Sequence, residues 1–107
     1  MSGKAHKHNM PETMYRASRC CRILGNPTAY LLLKSLGTSR KTPTDLSKEC
    51  RVSIQTVSRI LKDLRLIEAV RYETAAGSKM YWIKDQEILS ILDSLETWVE
   101  RERMRKS

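Results

Sequence analysis

The chain has 107 residues, a formal net charge of +8 and an isoelectric point near 9.7. This length suffices for one domain with a modest core, and the positive charge favours an anionic partner such as nucleic acid. No apolar run approaches the roughly 20 residues that a membrane-spanning helix needs. Three cysteines without a signal peptide argue against a secreted disulfide framework. We therefore expect a cytoplasmic protein with no membrane partner.

The charge is distributed unevenly along the chain. Residues 1–24 hold five Lys or Arg against one acid, and residues 25–84 hold eleven against five. Residues 85–107 hold four against six. We therefore expect the central part to face nucleic acid and the last helix to face protein.

Residues 1–11, MSGKAHKHNMP, show no apolar periodicity and end at a proline, which predicts a flexible basic arm. His6 and His8 are a weak metal site by themselves, because no carboxylate or thiol lies near them in the sequence. Together with Lys4 and Lys7, these histidines could instead follow a phosphate backbone.

The next two segments predict helices. Apolar residues recur at helical spacing over residues 12–24, and Gly25 ends this pattern. Asn26 is a suitable N-cap and Pro27 suits the first helical position, which predicts a second helix that ends at Gly37. Because its body is apolar nearly all round, we expect it to be the central helix of the core.

After a polar, basic loop at residues 38–41, two helix-start signals lie about eleven residues apart. Thr42, Pro43 and Asp45 have the sequence of a capping box with proline at the first position, and Ser53 repeats the capping signal. Two short helices joined by a brief turn predict a helix-turn-helix. A two-helix hairpin within a bundle would show the same periodicity.

The second of these helices, predicted over residues 53–66, combines one apolar stripe with a polar face that has no acid before Asp63. Arg and Gln can make paired hydrogen bonds to base edges, while Ser, Thr and Lys suit phosphates or bases. The alternative is an ordinary solvated face. The DNA contacts predicted in the two helices are Thr44, Ser53, Gln55, Thr56, Ser58, Arg59 and Lys62.

Strand-forming residues on both sides of ETAAGSK predict a β-hairpin over residues 68–84, with Gly77 supplying a positive φ at the turn. Arg71 and Lys79 lie along it, so it has the features of a DNA-binding wing. The alternative is a hairpin that only covers the core, because the predicted tip, residues 74–78, contains no Arg or Lys.

Residues 86–107 predict a long helix and a charged tail. The apolar residues Ile88, Leu92, Leu95 and Val99 form one stripe, which neighbouring apolar residues widen. This is more apolar surface than one contact with a small domain needs, and a second copy of the same helix is the simplest partner.

The three cysteines have different surroundings in the sequence. Cys21 shares an apolar helix face with Ala17 and Leu24, which predicts a small buried side chain, and Cys50 is predicted to lie in the core. Cys20 lies between two arginines that favour its thiolate form, so it is a candidate redox thiol or a soft-metal ligand across an interface.

Three segments resemble winged helix-turn-helix transcription factors, most closely the ArsR-type repressors. They are LGNPTAYLLLKSL at residues 24–36, TPTDLSKECRVSIQTVSRILKDL at residues 42–64, and KMYWI at residues 79–83. The resemblance covers roughly residues 16–84. It implies a mainly α fold with a small β-hairpin, in which residues 12–85 form the winged helix domain.

The resemblance also implies a homodimer that represses transcription. One recognition helix from each subunit would enter successive major grooves of a pseudo-palindromic operator, with Arg71 and Lys79 near the backbone or minor groove. The first and last helices would be dimerisation helices. The interface residues that this implies are Met14, Ala17, Cys21, Ile88, Leu92, Leu95 and Val99.

The sequence departs from the family pattern in three places. Ala29 and Tyr30 occupy the place where the family usually has an arginine, and residues 65–68, RLIE, lack the usual glycine after the recognition helix. Metal sensors of the family carry a Cys-x-Cys type cluster in the first helix of the motif, or His and carboxylate ligands on the last helix. Here the first place offers only Cys50 and the last helix has no histidine, so we expect no metal and no cofactor.

The sequence thus predicts a regulator that binds double-stranded DNA. It does not favour an enzyme, because it contains no Ser–His–Asp or Cys–His arrangement and no phosphate-binding glycine loop, and both histidines lie in the arm. One alternative is a winged-helix interaction module or a non-specific nucleic-acid-binding protein. A second alternative is a regulator that senses redox state through Cys20.

Overall fold

The computed structural model describes residues 10–105, which form five α-helices and one two-stranded antiparallel sheet. The elements in chain order are α1 (Glu12–Leu24), α2 (Pro27–Leu36), α3 (Pro43–Cys50), α4 (Ile54–Leu66), β1 (Val70–Ala75), β2 (Ser78–Ile83) and α5 (Glu87–Arg105). This confirms the predicted fold class, mainly α with a small β-hairpin. Positions 1–9 of the predicted arm lie outside the described residues.

Side-chain caps fix the starts of the middle helices. The Asn26 side-chain oxygen accepts hydrogen bonds from the backbone N–H groups of Thr28 and Ala29, at 2.9 and 3.0 Å. The capping box of α3 is complete, because the Thr42 hydroxyl accepts from the Asp45 N–H at 3.0 Å and the Asp45 carboxylate accepts from the Thr42 N–H at 3.1 Å. These contacts satisfy N–H groups that would otherwise lack partners in the first turn.

One hydrophobic core lies between α2, α3, α4 and the hairpin. It explains why α2 carries so many apolar residues, since Ala29, Leu32, Leu33 and Leu36 are all buried. The predicted central role of α2 is confirmed, but the helix is not enclosed on every side, because Leu31 is 46% exposed. The other buried apolar residues of the core are Leu46, Val57, Ile60, Leu61, Leu64, Ala69, Val70, Tyr81, Ile83 and Leu92.

A two-residue turn closes the hairpin. Ala75 pairs with Ser78, and the two residues between them, Ala76 and Gly77, have φ values of 52° and 79°. Two consecutive positive φ values are the pattern of a type I′ turn, whose twist matches that of the flanking strands. The predicted positive φ at Gly77 is confirmed, and Ala76 adopts one as well.

Lys41 attaches the hairpin to the helices. Its backbone pairs with that of Tyr81 through two hydrogen bonds of 3.0 and 2.8 Å. Its ammonium group donates to the Ser35 carbonyl and to the Glu49 carboxylate, each at 2.6 Å. Lys41 was predicted in a basic loop, but its charge is held by Glu49 within the domain.

Glu68 takes the place of a glycine where the chain leaves α4. Its φ is 65°, in the left-handed region, and its N–H donates to the Arg65 carbonyl at 2.9 Å. The next N–H, of Ala69, donates to the Leu64 carbonyl at 2.9 Å, which completes a Schellman motif. The Glu68 carboxylate forms an ion pair of 2.7 Å with Lys84, whose hydrogen bond lowers the pKa of Glu68.

Two residues of the outer helices are placed differently from what the sequence suggested. Leu92, an expected interface residue, has its side chain fully buried in the core of its own protomer. Cys21 was predicted to be buried, but it is exposed, because α1 packs at the edge of the domain and contributes no fully buried residue. Cys50 is half-buried and packs against the core, as predicted.

Candidate nucleic-acid interface

The exposed face of α4 is polar and positively charged. The buried stripe of this helix turns Gln55, Ser58, Arg59 and Lys62 away from the core, and all four side chains are exposed. On a helix, residues three or four apart are neighbours, so Gln55, Arg59 and Lys62 form one continuous row. This row offers bidentate donors and acceptors that match base edges, with a cation beside them.

Ser53 and Thr56 are partly engaged in capping α4. The Ser53 hydroxyl accepts from the Thr56 N–H at 3.2 Å and donates to the Thr56 hydroxyl at 3.0 Å. Thr56 is also half-buried, so it is less available to a ligand than the sequence suggested. Thr44, in the first turn of α3, is exposed.

Some cations of the molecule have an acidic partner and others do not. Arg103 and Arg105 on α5 pair with Glu100 and Glu102 at 2.9 and 3.0 Å. Within residues 10–105, no carboxylate lies within ion-pair distance of the cations that follow. These are Lys48 on α3, Arg51 in the turn, Arg59, Lys62 and Arg65 on α4, and Arg71 and Lys79 on the hairpin. The cations of α3, α4 and the hairpin strands thus have no acidic partner within residues 10–105, and the same holds for Arg19 and Arg22 on α1 and for Arg101 on α5.

The two predicted wing cations lie on opposite faces of the hairpin. Arg71 is the cross-strand partner of Trp82, so both side chains lie on one face of the hairpin. Arg40, from the loop before α3, packs on this face, and its guanidinium carbon lies 3.9 Å from the centre of the Trp82 ring. Lys79 lies on the other face, because side chains alternate along a strand. The face that carries Lys79 also contacts α4, because Tyr72 on this face lies beside Arg65.

On that face, one aromatic ring contacts two cations. The Arg65 guanidinium carbon and the Lys79 Nζ each lie 4.9 Å from the centre of the Tyr72 ring. The Tyr72 ring in turn lies 5.1 Å from that of Tyr81. Sequence reasoning missed Arg65, because only the packing of the hairpin against the end of α4 brings this residue to Tyr72.

The remaining predicted interface residues lie on a different part of the surface. Met14, Ala17, Leu95 and Val99 are exposed, and Ile88 is half-buried against the core. A groove of about 720 Å³ runs between α1, α2 and α5. Its apolar lining consists of Cys21, Leu24, Pro27, Leu31, Ile91, Leu92 and Leu95, with Tyr30 and Lys34 at its polar side.

Polar contacts tie α5 to α2 beside this groove. The Tyr30 hydroxyl donates to the Glu96 carboxylate at 2.6 Å, and the Lys34 ammonium lies 3.1 Å from Asp93 and 3.0 Å from Glu96. The Tyr30 hydrogen bond and then that of Lys34 lower the pKa of Glu96, while the bond to Glu96 raises the pKa of Tyr30. Tyr30 stands where the resembling family usually has an arginine, and sequence reasoning did not anticipate this network.

Cys20 lies at the other side of α1. It is half-buried in a shallow cleft of about 260 Å³ together with Arg16, Arg19, Leu66 and Glu68. The candidate thiol therefore faces the end of α4 rather than the groove between α1 and α5.

Several solved structures share this arrangement of helices and hairpin. NolR from Sinorhizobium fredii is 23% identical, with a TM-score of 0.73 over 80% of this chain and 86% of that one. The chain has a winged helix-turn-helix fold. The homodimeric winged helix-turn-helix DNA-binding domain of Mb0332 from Mycobacterium bovis, a possible ArsR-family transcriptional regulator, is 16% identical, with a TM-score of 0.72 over 94% and 95% of the two chains.

The transcriptional repressor BigR from Xylella fastidiosa has the same winged helix fold. It is 16% identical, with a TM-score of 0.72 over 80% of this chain and 88% of that one. No family model and no curated protein matches the sequence. The fold predicted from the sequence is therefore confirmed by structural similarity.

Two further observations concern the described part of the winged helix. Among residues 10–105, no helix is long and apolar enough to cross a membrane. The same residues contain no group of three or more His, Cys, Asp or Glu side chains placed to hold a metal ion. The carboxylates of Asp93 and Glu96 on α5 are instead engaged by Lys34.

Proposed function

We propose that the protein is a transcriptional regulator that binds double-stranded DNA sequence-specifically as a homodimer. The observation that carries the proposal is the exposed row of Gln55, Arg59 and Lys62 on α4, surrounded by cations that have no carboxylate partner within residues 10–105. A face of this kind suits the major groove, which admits one helix and presents donors and acceptors to it.

The side chains of α4 have separate roles in this proposal. Arg59 donates two hydrogen bonds to a guanine, and Gln55 pairs with an adenine or another base one turn away. Ser58 and Lys62 contact bases or phosphates at the sides of the helix. Thr44 and Ser53, at the starts of α3 and α4, are assigned to backbone phosphates, so that they position the domain rather than read the sequence.

A second copy covers the apolar groove between α1, α2 and α5. Leu95 and Val99 of α5 are 47% and 49% exposed, and Trp98 beside them is 54% exposed, so a stripe of large apolar side chains faces solvent in the single protomer. Burial of such a stripe favours self-association, and two-fold symmetry would pair it with itself. The homodimeric state of the Mb0332 domain supports this arrangement.

The effect of binding is proposed to be repression. A dimer with one recognition helix in each of two successive major grooves occupies a duplex site that is then inaccessible to other proteins. The likeness to the repressor BigR supports this direction of regulation.

Selection from a random duplex library tests the proposed function. We expect an enriched two-fold motif whose half-sites lie about one helical turn apart, roughly 34 Å. Salt-sensitive binding without an enriched motif would instead indicate a non-specific nucleic-acid-binding protein. No binding to duplex DNA at low salt would favour a protein-interaction module.

A further inference from the structure

Tyr72, Arg65 and Lys79 form a cluster where the end of α4 meets the hairpin. Arg65 comes from the last turn of α4, Tyr72 from β1 and Lys79 from β2, so three elements meet here. Each cation lies 4.9 Å from the centre of the same ring. The cluster is thus built by the fold and not by neighbouring residues in the sequence.

The hairpin register determines which side chains can join the cluster. Tyr72 pairs directly with Tyr81, and their rings lie 5.1 Å apart. Lys79 is two residues from Tyr81, so both side chains point to the same face of the hairpin. Tyr81 is buried, and it therefore anchors the half-buried Tyr72 ring at a fixed position.

The charge of this cluster is not balanced within the described chain. No carboxylate of residues 10–105 lies within ion-pair distance of Arg65 or Lys79. The π face of Tyr72 attracts each cation but carries no net charge. Two like charges held at one ring repel each other, and a shared anion between them would relieve this repulsion.

A second cation–aromatic pair lies on the opposite face of the hairpin, and its cation does have an acidic partner. Arg40 lies 3.9 Å from the ring centre of Trp82, but its guanidinium is also paired with Glu73 at 3.1 Å. The positive charge of Arg40 is therefore balanced by Glu73 and needs no ligand. The Arg65–Tyr72–Lys79 cluster lacks such an acid, although both clusters use the same kind of contact.

We propose that Arg65 and Lys79 together hold one backbone phosphate of bound duplex DNA. The proposal rests on the proposed function and deepens it, since it assigns the contact that fixes the wing relative to α4. Tyr72 is a positioning residue that holds both cations without touching the DNA. Because phosphates carry no sequence information directly, the cluster contributes affinity and register but no base preference.

The salt dependence of duplex binding tests whether the two cations share a phosphate. Affinities of the Arg65→Gln, Lys79→Gln and doubly substituted proteins are measured on the selected duplex and on a scrambled duplex over a range of salt concentrations. We expect each single variant to weaken binding by the same factor on both duplexes. Because the dimer carries two copies of the cluster, the double variant should lower the salt slope by about two, the value for one phosphate per protomer, whereas two separate phosphates per protomer would give about four.

Replacement of single phosphates by neutral methylphosphonates gives a second readout. One replacement in each half-site should weaken the wild-type protein, have a smaller effect at the same phosphate on Arg65→Gln and on Lys79→Gln, and have no effect on the double variant. Sensitivity of the two variants at different phosphates would overturn the shared site. Arg40→Gln is the matched control, because it also removes a cation from a ring but on the opposite face, and it should leave the salt slope unchanged.

Tyr72 is tested by two substitutions. Tyr72→Phe keeps the ring face and should bind as the wild type does, whereas Tyr72→Leu should weaken binding equally on both duplexes. Circular dichroism and thermal unfolding of each variant separate this effect from a loss of folding. If Arg59→Ala relaxes the base preference while Arg65→Gln and Lys79→Gln bind normally, the phosphate site is wrong and the proposed function stands. If the wild type binds no duplex, both are wrong.

Discussion

Three residues other than glycine have a positive φ in the described chain, and each lies where a turn requires it. Arg51 has a φ of 57° at the end of α3, Glu68 a φ of 65° after α4, and Ala76 a φ of 52° in the hairpin turn. This left-handed conformation costs roughly 1–2 kcal/mol for residues other than Gly, Asn and Asp. The turn geometry of the fold therefore prevails over the local preference of these residues.

Ala76→Asn should stabilise the protein. Asn followed by Gly is the preferred pair of a type I′ turn, because Asn tolerates the positive φ that Ala76 adopts here. We expect a gain of about 0.5–1 kcal/mol in the free energy of unfolding, measured by chemical denaturation. Ala75→Asn makes the same chemical change one residue earlier, where the φ is negative, and should give no gain. An equal gain from both variants would contradict the turn assignment.

At this scale, the sequence predicted the helix starts better than the helix ends. Asn26, Thr42 and Ser53 were identified as caps because their side chains act on backbone groups only two or three residues away. The exit of α4 could not be predicted in the same way. Glu68 adopts its conformation because the hairpin must continue in a particular direction and because Lys84, sixteen residues later, holds its carboxylate.

At the scale of elements, α5 combines two functions on one apolar stripe. Leu92 is fully buried against the domain, whereas Leu95, one turn later, is 47% exposed beside the groove. The periodicity of the sequence identified both as members of one stripe. The periodicity could not show how far along α5 the stripe is buried in the core of its own protomer, because this depends on the position of α2.

Leu92→Ala and Leu95→Glu should therefore have different effects. Leu92→Ala leaves a cavity in the core, and we expect a loss of about 2–5 kcal/mol in the free energy of unfolding. Leu95→Glu should cost little in the folding of a protomer but abolish self-association, because it places a charge in an apolar interface. Chemical denaturation and sedimentation velocity measure the two effects. A dimer that survives Leu95→Glu would move the interface away from the groove.

The Tyr30–Lys34 contacts illustrate what sequence reasoning cannot supply at this scale. The sequence pattern assigned no partner to Asp93 or Glu96. Their partners lie about 60 positions earlier in the sequence, and only the packing of α5 against α2 brings Lys34 within 3.1 Å of Asp93. A polar network between distant elements leaves no local periodicity that could be detected.

Over the whole molecule, charge and apolar surface are separated. Most cations without an acidic partner in the described residues lie on α3, α4, the turn between them and the hairpin, while the exposed apolar stripe lies on α5. Arg19 and Arg22 on α1 and Arg101 on α5 are the exceptions. The partition of net charge in the sequence predicted this separation. It did not predict which cations have internal partners, since Lys41 is held by Glu49 and Arg65 is available to a ligand.

The base preference of an Arg59→Ala variant tests the central claim most directly. Affinities of wild type and variant are measured on the selected duplex and on duplexes with each base pair of one half-site replaced. We expect Arg59→Ala to lose about 1–3 kcal/mol on the selected duplex and to lose discrimination at one base pair of each half-site. Arg105→Ala, which removes a cation paired with Glu102 at the end of α5, should match the wild type. An equal loss on every duplex, or no loss, would contradict base reading by α4.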